Sequence, residues 1–146
     1  MITNKHLRSY EIDLINLISS QFENYREEIE RQINEAEIGR EEYAYHLFLD
    51  FSYPNGLEFK KELPWLMSIA VACEDGDEVV LSFHRFRKSY IEELEVYSGL
   101  MYDLDVDKIC KGRVVYRHFE NTNGLSERWE LNRETNQLEL VSRRTG

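Results

Sequence analysis

The feature that most constrains the fold is a long run of apolar residues at helical spacing near the N-terminus. These residues recur at every third or fourth position: Leu7, Tyr10, Leu14, Ile18, Phe22, Tyr25, Ile29 and Ile33. Such spacing places them along one face of a helix. An unbroken helix of this length would span roughly 45 Å, slightly more than the width of a globule of this size. We therefore predict a long amphipathic helix over 7–33 that bends near Ser19 and Ser20.

The same periodicity is compatible with a coiled-coil dimer, in which the helix would pair with a second copy. A coiled-coil seam is narrow, whereas Ile12, Ile15 and Leu17 widen the apolar stripe in the first half of this helix. A wide stripe favours packing on a sheet within the same chain. We therefore expect a monomer rather than a dimer.

The rest of the chain is predicted to form mainly strands, because it consists of segments in which apolar and polar residues alternate, and turn sequences separate these segments. The predicted strands are 43–53, 57–60, 65–73, 78–86, 113–120, 125–132 and 137–142. A second helix over 89–102 is predicted from a capping box, Ser89 to Glu92, followed by Ile91, Leu94, Tyr97 and Met101 at helical spacing. The predicted fold is one α+β domain over 1–146, with two helices on a largely antiparallel sheet of about five to six strands.

Net charge limits the classes of partner. Twenty-eight acidic residues against 18 basic ones give −10 at pH 7, which opposes binding to nucleic acid or anionic lipid. The same charge favours a basic protein as partner. No apolar run approaches the 18 residues of a membrane span, and the N-terminus lacks a secretory signal, so we expect a cytoplasmic protein.

No sequence motif predicts catalysis, a metal or a cofactor. The stretch 103–107 carries carboxylates at alternate positions like the start of a calcium loop, but Lys108 stands where glycine is required. None of the four histidines is spaced for zinc in the linear sequence, although strands can bring His46, His84 and His118 together. Cys73 and Cys110 form no paired motif and are expected to be reduced thiols. We therefore expect a non-enzymatic protein.

Acidic stretches with neighbouring tyrosines are the strongest candidates for a binding surface, since tyrosines often anchor protein interfaces. The candidate partner-binding residues are Glu74, Asp75, Asp77, Glu92, Glu93, Glu95, Tyr97, Tyr102, Asp103, Asp105 and Asp107. A small acidic protein of this kind has the physical character of an immunity protein, which occludes the active site of a basic toxin such as a nuclease. That is the functional hypothesis.

Two alternatives remain open at this stage. Helices on a curved sheet can enclose a small-molecule or isomerase-like pocket, and its candidate lining residues are Tyr45, His46, Asp50, His84 and Trp129. In such a pocket, His84 and His118 near Asp50 would resemble a general acid–base pair. The second alternative is a scaffold that dimerises through its amphipathic helix.

Overall fold

Eight antiparallel strands form one sheet, and three helices pack on one of its faces. The computed structural model describes residues 1–86 and 90–145. The helices are α1 (Ser9–Ser19), α2 (Glu23–Glu35) and α3 (Val106–Lys111). The strands are β1 (Glu37–Tyr43), β2 (His46–Ser52), β3 (Leu66–Ala72), β4 (Glu78–His84), β5 (Glu93–Ser98), β6 (Arg113–Glu120), β7 (Ser126–Asn132) and β8 (Gln137–Arg144). The α+β class and the antiparallel sheet are confirmed, but the sheet has eight strands rather than five to six.

The strand order is β1-β2-β5-β4-β3-β6-β7-β8. Hairpins join β1 to β2, β3 to β4, β6 to β7 and β7 to β8. Strand β5 lies between β2 and β4 and pairs with both. Strands β5, β4 and β3 therefore form the centre of the sheet, where hydrogen bonds hold each strand on both sides.

The predicted N-terminal helix is two helices with a break at the expected place. Helix α1 ends at Ser19 and α2 begins at Glu23. The Ser19 hydroxyl donates to the carbonyl of Ile15 at 2.7 Å, and the Ser20 hydroxyl donates to the carbonyl of Leu17 at 2.8 Å. Such side-chain bonds compete with the helical backbone bonds and favour a bend.

Alternation along the strands divides the sheet into two faces. One face carries Leu49, Leu81 and Ile69, which are fully buried in one core cluster with residues from all three helices. The other face, called the open face below, carries the residues of opposite parity, such as Phe48, Glu95 and Ser82 in β2, β5 and β4. Every described helix thus packs on the same side of the sheet.

The predicted helix over 89–102 is wrong for the residues that the structure describes. Residues 93–98 form strand β5, whose buried positions alternate at Leu94, Val96 and Ser98. The predicted cap, Ser89, lies outside the described residues. Tertiary pairing explains the error, because β5 fills the space between β2 and β4 and gains hydrogen bonds from both. The third helix, α3, was not predicted.

Two strand predictions also differ from the structure. Residues 57–60 form no strand, because β1 and β5 already occupy both edges of β2. Strand β1 was missed because it is mostly polar. It is held partly by Arg40, whose guanidinium makes two hydrogen bonds of 2.8 and 2.9 Å to the fully buried carboxylate of Glu11 in α1.

Among the described helices, none has the length and apolar character that crossing a membrane requires.

Candidate functional site

The structure separates the predicted acidic surface into two regions at different places on the sheet. The first, called the acidic tip, comprises the β3–β4 turn and the segment after β5. Its residues are Glu74, Asp75, Leu100, Met101, Tyr102, Asp103, Asp105 and Asp107. The second, called the open-face cluster, lies on β2, β4 and β5 and comprises His46, His84, Glu93 and Glu95. The predicted residue Tyr97 also lies on the open face.

The backbone of the acidic tip is held by a buried carboxylate beneath it. Asp77 is 1% exposed and accepts hydrogen bonds from the Ser98 hydroxyl at 2.6 Å and from the Leu100 N–H at 3.0 Å. The Ser98 hydroxyl oxygen in turn accepts from the Tyr102 N–H at 2.9 Å. The Gly99 N–H donates to the carbonyl of Glu78 at 2.8 Å. These bonds tie the segment after β5 to the start of β4.

Three consecutive large apolar side chains project from this anchored segment. Leu100 is 51% exposed, Met101 71% and Tyr102 43%. Met101 has a φ of 60°, which L-residues other than glycine, asparagine and aspartate seldom adopt. The segment is therefore held in a conformation that keeps apolar side chains in water, an arrangement that costs free energy in the isolated protein.

Several carboxylates flank this apolar segment, in the residues that follow it and in the β3–β4 turn that it is bonded to. Glu74, Asp103 and Asp107 are exposed, and Asp105 caps α3 by accepting from the Lys108 N–H at 3.2 Å. The Lys108 ammonium bonds Asp75 at 2.8 Å and lies 5.6 Å from the centre of the Tyr102 ring. The ammonium lowers the pKa of the Asp75 carboxyl and keeps it ionised. The tip is thus a small apolar patch with a negative rim.

Besides the open-face residues Glu93, Glu95 and Tyr97, two more of the predicted contact residues do not belong to the acidic tip. Asp77 is buried and cannot meet a partner directly, because its carboxylate holds the segment after β5. Glu92 is half-buried just before β5 and accepts a hydrogen bond from the Phe86 N–H at 3.1 Å. Sequence spacing alone could not distinguish these two carboxylates from the exposed ones.

The open-face cluster is built by the register of three neighbouring strands. Glu93 in β5 lies directly opposite His84 in β4, and Glu95 lies two residues further along the same face of β5. On the other side of β5, His46 of β2 pairs with Tyr97. Side chains of one parity on neighbouring strands point to the same side, so these groups meet above β5.

The Glu95 carboxylate lies at the centre of this cluster. One of its oxygens is 2.8 Å from Nε2 of His46, and the other is 3.4 Å from Nε2 of His84. Glu95 therefore bridges two imidazoles from different strands. The His46 ring also stacks on Phe48, with the ring centres 4.2 Å apart, which holds it in place.

Two further carboxylates continue the cluster: Glu93 lies near Glu95, and Asp50 lies opposite Glu93. Partial burial, reinforced by the charge of Glu95 and then of Asp50, raises the pKa of Glu93. Partial burial, with a smaller effect of Glu41, raises the pKa of Asp50 as well. Like charges crowd this part of the open face, and desolvation adds to the cost of ionising both side chains.

The predicted acid–base pair of His84 and His118 with Asp50 does not form. His118 is on β6, separated from β4 by β3, and its imidazole interacts with Glu120 at 3.4 Å. Burial lowers the pKa of His118 and favours the neutral ring. Asp50 lies on β2, with β5 between it and His84. The three side chains are therefore separated by intervening strands.

The predicted pocket between helices and sheet does not contain the residues assigned to it. His46, Asp50 and His84 lie on the open face, away from the helices, and Tyr45 is exposed in the β1–β2 turn. Trp129 alone of the predicted residues lines a cleft on the helical side. His46, Asp50 and His84 face away from the helices because the apolar residues that alternate with them along each strand occupy the core.

The cleft beside Trp129 lies between the α1–α2 junction and strands β6 and β7, and its volume is about 290 Å³. The Arg117 guanidinium lies 4.5 Å from the centre of the Trp129 indole and donates to the carbonyl of Gln21 at 3.2 Å. Burial lowers the pKa of Arg117. The indole N–H of Trp129 is buried and has no hydrogen-bond partner among the described residues.

Reasoning from the sequence missed Leu100, Met101 and the open-face cluster. The alternation of Glu93, Glu95 and Tyr97 with Leu94, Val96 and Ser98 was a signal for the strand and for its open-face residues. No sequence signal indicated that Leu100 and Met101 would be exposed, since in the predicted helix Met101 faced the core.

Comparisons with known proteins add no relative to these observations: no family model, curated protein or solved structure matches the chain significantly.

Proposed function

We propose that this chain is a non-enzymatic protein-binding inhibitor of the immunity-protein kind, which engages a basic protein through the acidic tip. One observation carries the proposal: the anchored segment after β5 exposes Leu100, Met101 and Tyr102 beside exposed carboxylates. The site combines an apolar centre, a charged rim and a rigid backbone. Each of these properties contributes to binding in a different way.

The apolar centre supplies affinity. Interfaces derive most of their binding energy from a few large side chains that become fully desolvated at the centre of the contact. Tyr102 and Met101 are of the residue types that are enriched at such centres. A partner with a matching pocket would remove all three apolar side chains from water.

The rigid backbone lowers the cost of binding. A segment that is ordered only on binding loses conformational entropy at that moment. Here the hydrogen bonds of Asp77 and Ser98 already hold the backbone of Leu100 and Tyr102. The strained φ of Met101 is likewise maintained by the fold before any partner arrives.

The rim supplies steering and selectivity. Glu74, Asp103 and Asp107 are exposed, and the nearby Lys108 is paired with Asp75. Negative potential around an apolar patch speeds encounter with a positively charged protein and opposes an acidic one. A toxin that binds nucleic acid must present such a positive surface, so it is a suitable class of partner.

The proposal narrows the contact surface predicted from sequence. Glu93, Glu95 and Tyr97 lie on the open face rather than at the tip. Asp77 acts as support for the tip. The contact residues that remain are Glu74, Asp75, Tyr102, Asp103, Asp105 and Asp107, joined by Leu100 and Met101.

The experiment is an affinity capture from native lysate at low and high salt, with the purified chain as bait. We expect a basic protein whose retention weakens with salt. The double variant Leu100→Ala/Met101→Ala should weaken its binding by about 30-fold, the equivalent of about 2 kcal/mol for hot-spot residues. Asp103→Asn/Asp107→Asn should mainly slow association. If the captured protein is toxic when expressed, co-expression of the wild-type chain should restore growth.

Matched controls lie at the two edges of the sheet. Val141 in β8 is 49% exposed, so Val141→Ala removes a similar exposed side chain far from the tip. Glu37→Gln/Glu41→Gln removes two exposed acids from β1. The proposal is wrong if these controls weaken binding as much as the tip variants do, or if tip variants retain full affinity for the captured protein.

A second candidate function, binding of a small anionic molecule, is favoured by the cleft beside Trp129. Arg117 has no ion-pair partner among the described residues, and the indole N–H of Trp129 has no acceptor. A carboxylate or phosphate would pair with the Arg117 guanidinium. A thermal-shift screen of small carboxylates and phosphates tests this candidate. Stabilisation that Arg117→Met abolishes would support it, and no shift in the wild-type chain would reject it.

A further inference from the structure

We propose that His84, Glu93 and Glu95 form a binding site for a first-row divalent transition metal ion, of which Zn²⁺ is the model. The site lies on the open face of the sheet and is distinct from the acidic tip. Its ligand atoms are Nε2 of His84 and one oxygen from each carboxylate. The proposal goes beyond the protein-binding function and does not depend on it.

The three ligand atoms are already close to a metal-binding arrangement. They all lie within 4.8 Å of one another. Bonds of about 2.0–2.2 Å to a tetrahedral Zn²⁺ place neighbouring ligand atoms roughly 3.3–3.6 Å apart. Nε2 of His84 and the nearer oxygen of Glu95 are 3.4 Å apart, which matches the separation expected between two zinc ligands. The Glu93 oxygen lies within 4.8 Å of both of these atoms.

The backbone beneath the ligands is rigid. His84 and Glu93 are direct cross-strand partners, and Glu95 pairs beside them with Ser82. Strands β4 and β5 each have hydrogen-bonded neighbours on both sides. Ligands on such elements are held more precisely than ligands on loops. The hydrogen-bonded sheet therefore fixes the spacing between the two strands that carry all three ligands.

A residue from a third strand orients the central ligand. His46 of β2 interacts through Nε2 with the Glu95 oxygen that His84 does not contact, at 2.8 Å. Carboxylates that bind metals are commonly held by hydrogen bonds of this kind. His46 is thus a positioning residue, and the fourth coordination position remains for water.

The charge around the site independently favours a cation. The Glu93 carboxylate has no hydrogen-bond or ion-pair partner among the described residues. The open-face positions of β2, β5 and β4 carry Asp50, Glu78, Glu93 and Glu95 but neither lysine nor arginine. Carboxylates crowded together without a cation repel one another. A divalent ion would remove this repulsion.

The ligand chemistry selects the class of metal. An imidazole nitrogen with carboxylate oxygens suits Zn²⁺, Co²⁺ and related ions, whereas Ca²⁺ and Mg²⁺ prefer oxygen ligands alone. Linear spacing indicated no such site because His84 was predicted on a strand, whereas Glu93 and Glu95 were predicted on a helix. Only the insertion of β5 beside β4 brings them together.

The test is calorimetric titration of Zn²⁺ alone into the metal-free full chain. A Cys110→Ser background removes the exposed thiol, which is a competing zinc ligand. We expect one Zn²⁺ per chain, with affinity reduced at least about 100-fold by His84→Ala or Glu95→Gln. His46→Ala should reduce the affinity about 10- to 100-fold, as is typical for residues that orient ligands. Bound Co²⁺ should give the visible absorption of a tetrahedral site, and His84→Ala should abolish it.

Two controls separate this site from general surface binding. His118→Ala removes another histidine beyond β3 and should leave the affinity unchanged. The tip variant Asp103→Asn/Asp107→Asn should also leave it unchanged, so that failure of the metal site is distinguishable from failure of the acidic tip. Metal-free melting temperatures verify that each variant folds. Equal displacement of Zn²⁺ by Ca²⁺ or Mg²⁺, equal loss in His118→Ala, or no stoichiometric binding would overturn the proposal.

Discussion

The acidic tip and the open-face cluster are both rich in carboxylates, yet these carboxylates have different structural roles. At the tip, Asp77 and Asp105 accept backbone hydrogen bonds, and Asp75 pairs with an ammonium. These acids organise a segment that exposes apolar side chains. In the cluster, Glu95 bridges two imidazoles and Glu93 has no described partner. The comparison teaches that the role of an acidic residue depends on its partners, which net charge does not reveal.

The largest expected effect is at the buried carboxylate beneath the tip. Asp77→Ala leaves the Ser98 hydroxyl and the Leu100 N–H without their acceptor. We expect a loss of about 3 kcal/mol in the free energy of unfolding, measured by urea denaturation, because hydrogen bonds to a buried charge are lost. Glu74→Ala is the control, since this exposed acid in the same turn has no hydrogen bond or ion pair among the described residues and should change the urea midpoint little. Equal effects of the two substitutions would contradict the distinction between supporting and rim carboxylates.

A close backbone contact sets the next effect. A Cβ added at Gly99 would lie 2.9 Å from the carbonyl oxygen of Glu78, so Gly99→Ala must shift the segment that leads into the tip. We expect a loss of about 1–2 kcal/mol, together with weaker partner binding. In Gly39→Ala, by contrast, the nearest atom to the new Cβ is 3.6 Å away, an ordinary contact. An unchanged urea midpoint in Gly99→Ala would show that the tip is not held rigidly.

The strained residue at the tip separates stability from binding. Met101→Gly relieves a positive φ and removes a side chain that is 71% exposed. We expect thermal denaturation to show a gain of up to about 1 kcal/mol. Partner affinity should nevertheless fall, because an apolar anchor is lost. Leu100→Gly is the comparison, since its backbone needs no positive φ and should lose stability. A fall in stability for Met101→Gly would contradict the assignment of strain.

The smallest effect concerns Glu93 in the open-face cluster. Its raised pKa means that the folded state binds more protons than the unfolded state above the ordinary glutamate pKa. The free energy of unfolding therefore falls as pH rises from the unfolded pKa, about 4.3, through the folded value. Metal-free Glu93→Gln should be more stable than wild type at pH 7 by less than about 1 kcal/mol, since solvent screens the charge.

Melting temperatures at pH 7 and pH 4 measure this difference, and the gain of Glu93→Gln should vanish at the lower pH. Glu37→Gln on exposed β1 serves as the reference. A destabilising effect of Glu93→Gln at pH 7 would mean that the carboxylate has a stabilising partner and that the repulsion argued for the cluster is absent.

Elements that depend on neighbouring residues were easier to predict from the sequence than elements that depend on long-range strand pairing. Strand β6 was predicted at 113–120, as observed, because alternation and a following turn define it locally. Strand β5 was predicted as a helix because Ile91, Leu94, Tyr97 and Met101 also fit helical spacing. Residues 93–98 form a strand because they receive hydrogen bonds on one side from β4, which precedes them in the chain, and on the other side from β2, which is distant in sequence.

The candidate sites likewise were easier to predict where their residues are close together in the sequence. Six of the tip residues were predicted because acids and Tyr102 cluster in the sequence. Asp77 was wrongly placed on the surface, since its burial depends on Ser98 and Leu100 from another element. The convergence of His46, His84, Glu93 and Glu95 depends on the order of three strands, which no local pattern encodes.

Local chemistry in the chain sufficed for the α+β class, the bend between α1 and α2, six of the eight strands and the acidic character of the surface. These properties follow from residue periodicity, side-chain competition with the helix backbone and net charge, all of which act over a few neighbouring residues. Strand order, the identity of β5 and the separation of tip from cluster arose only on folding. They depend on which distant backbone groups satisfy one another's hydrogen bonds and on which side chains that pairing leaves in water.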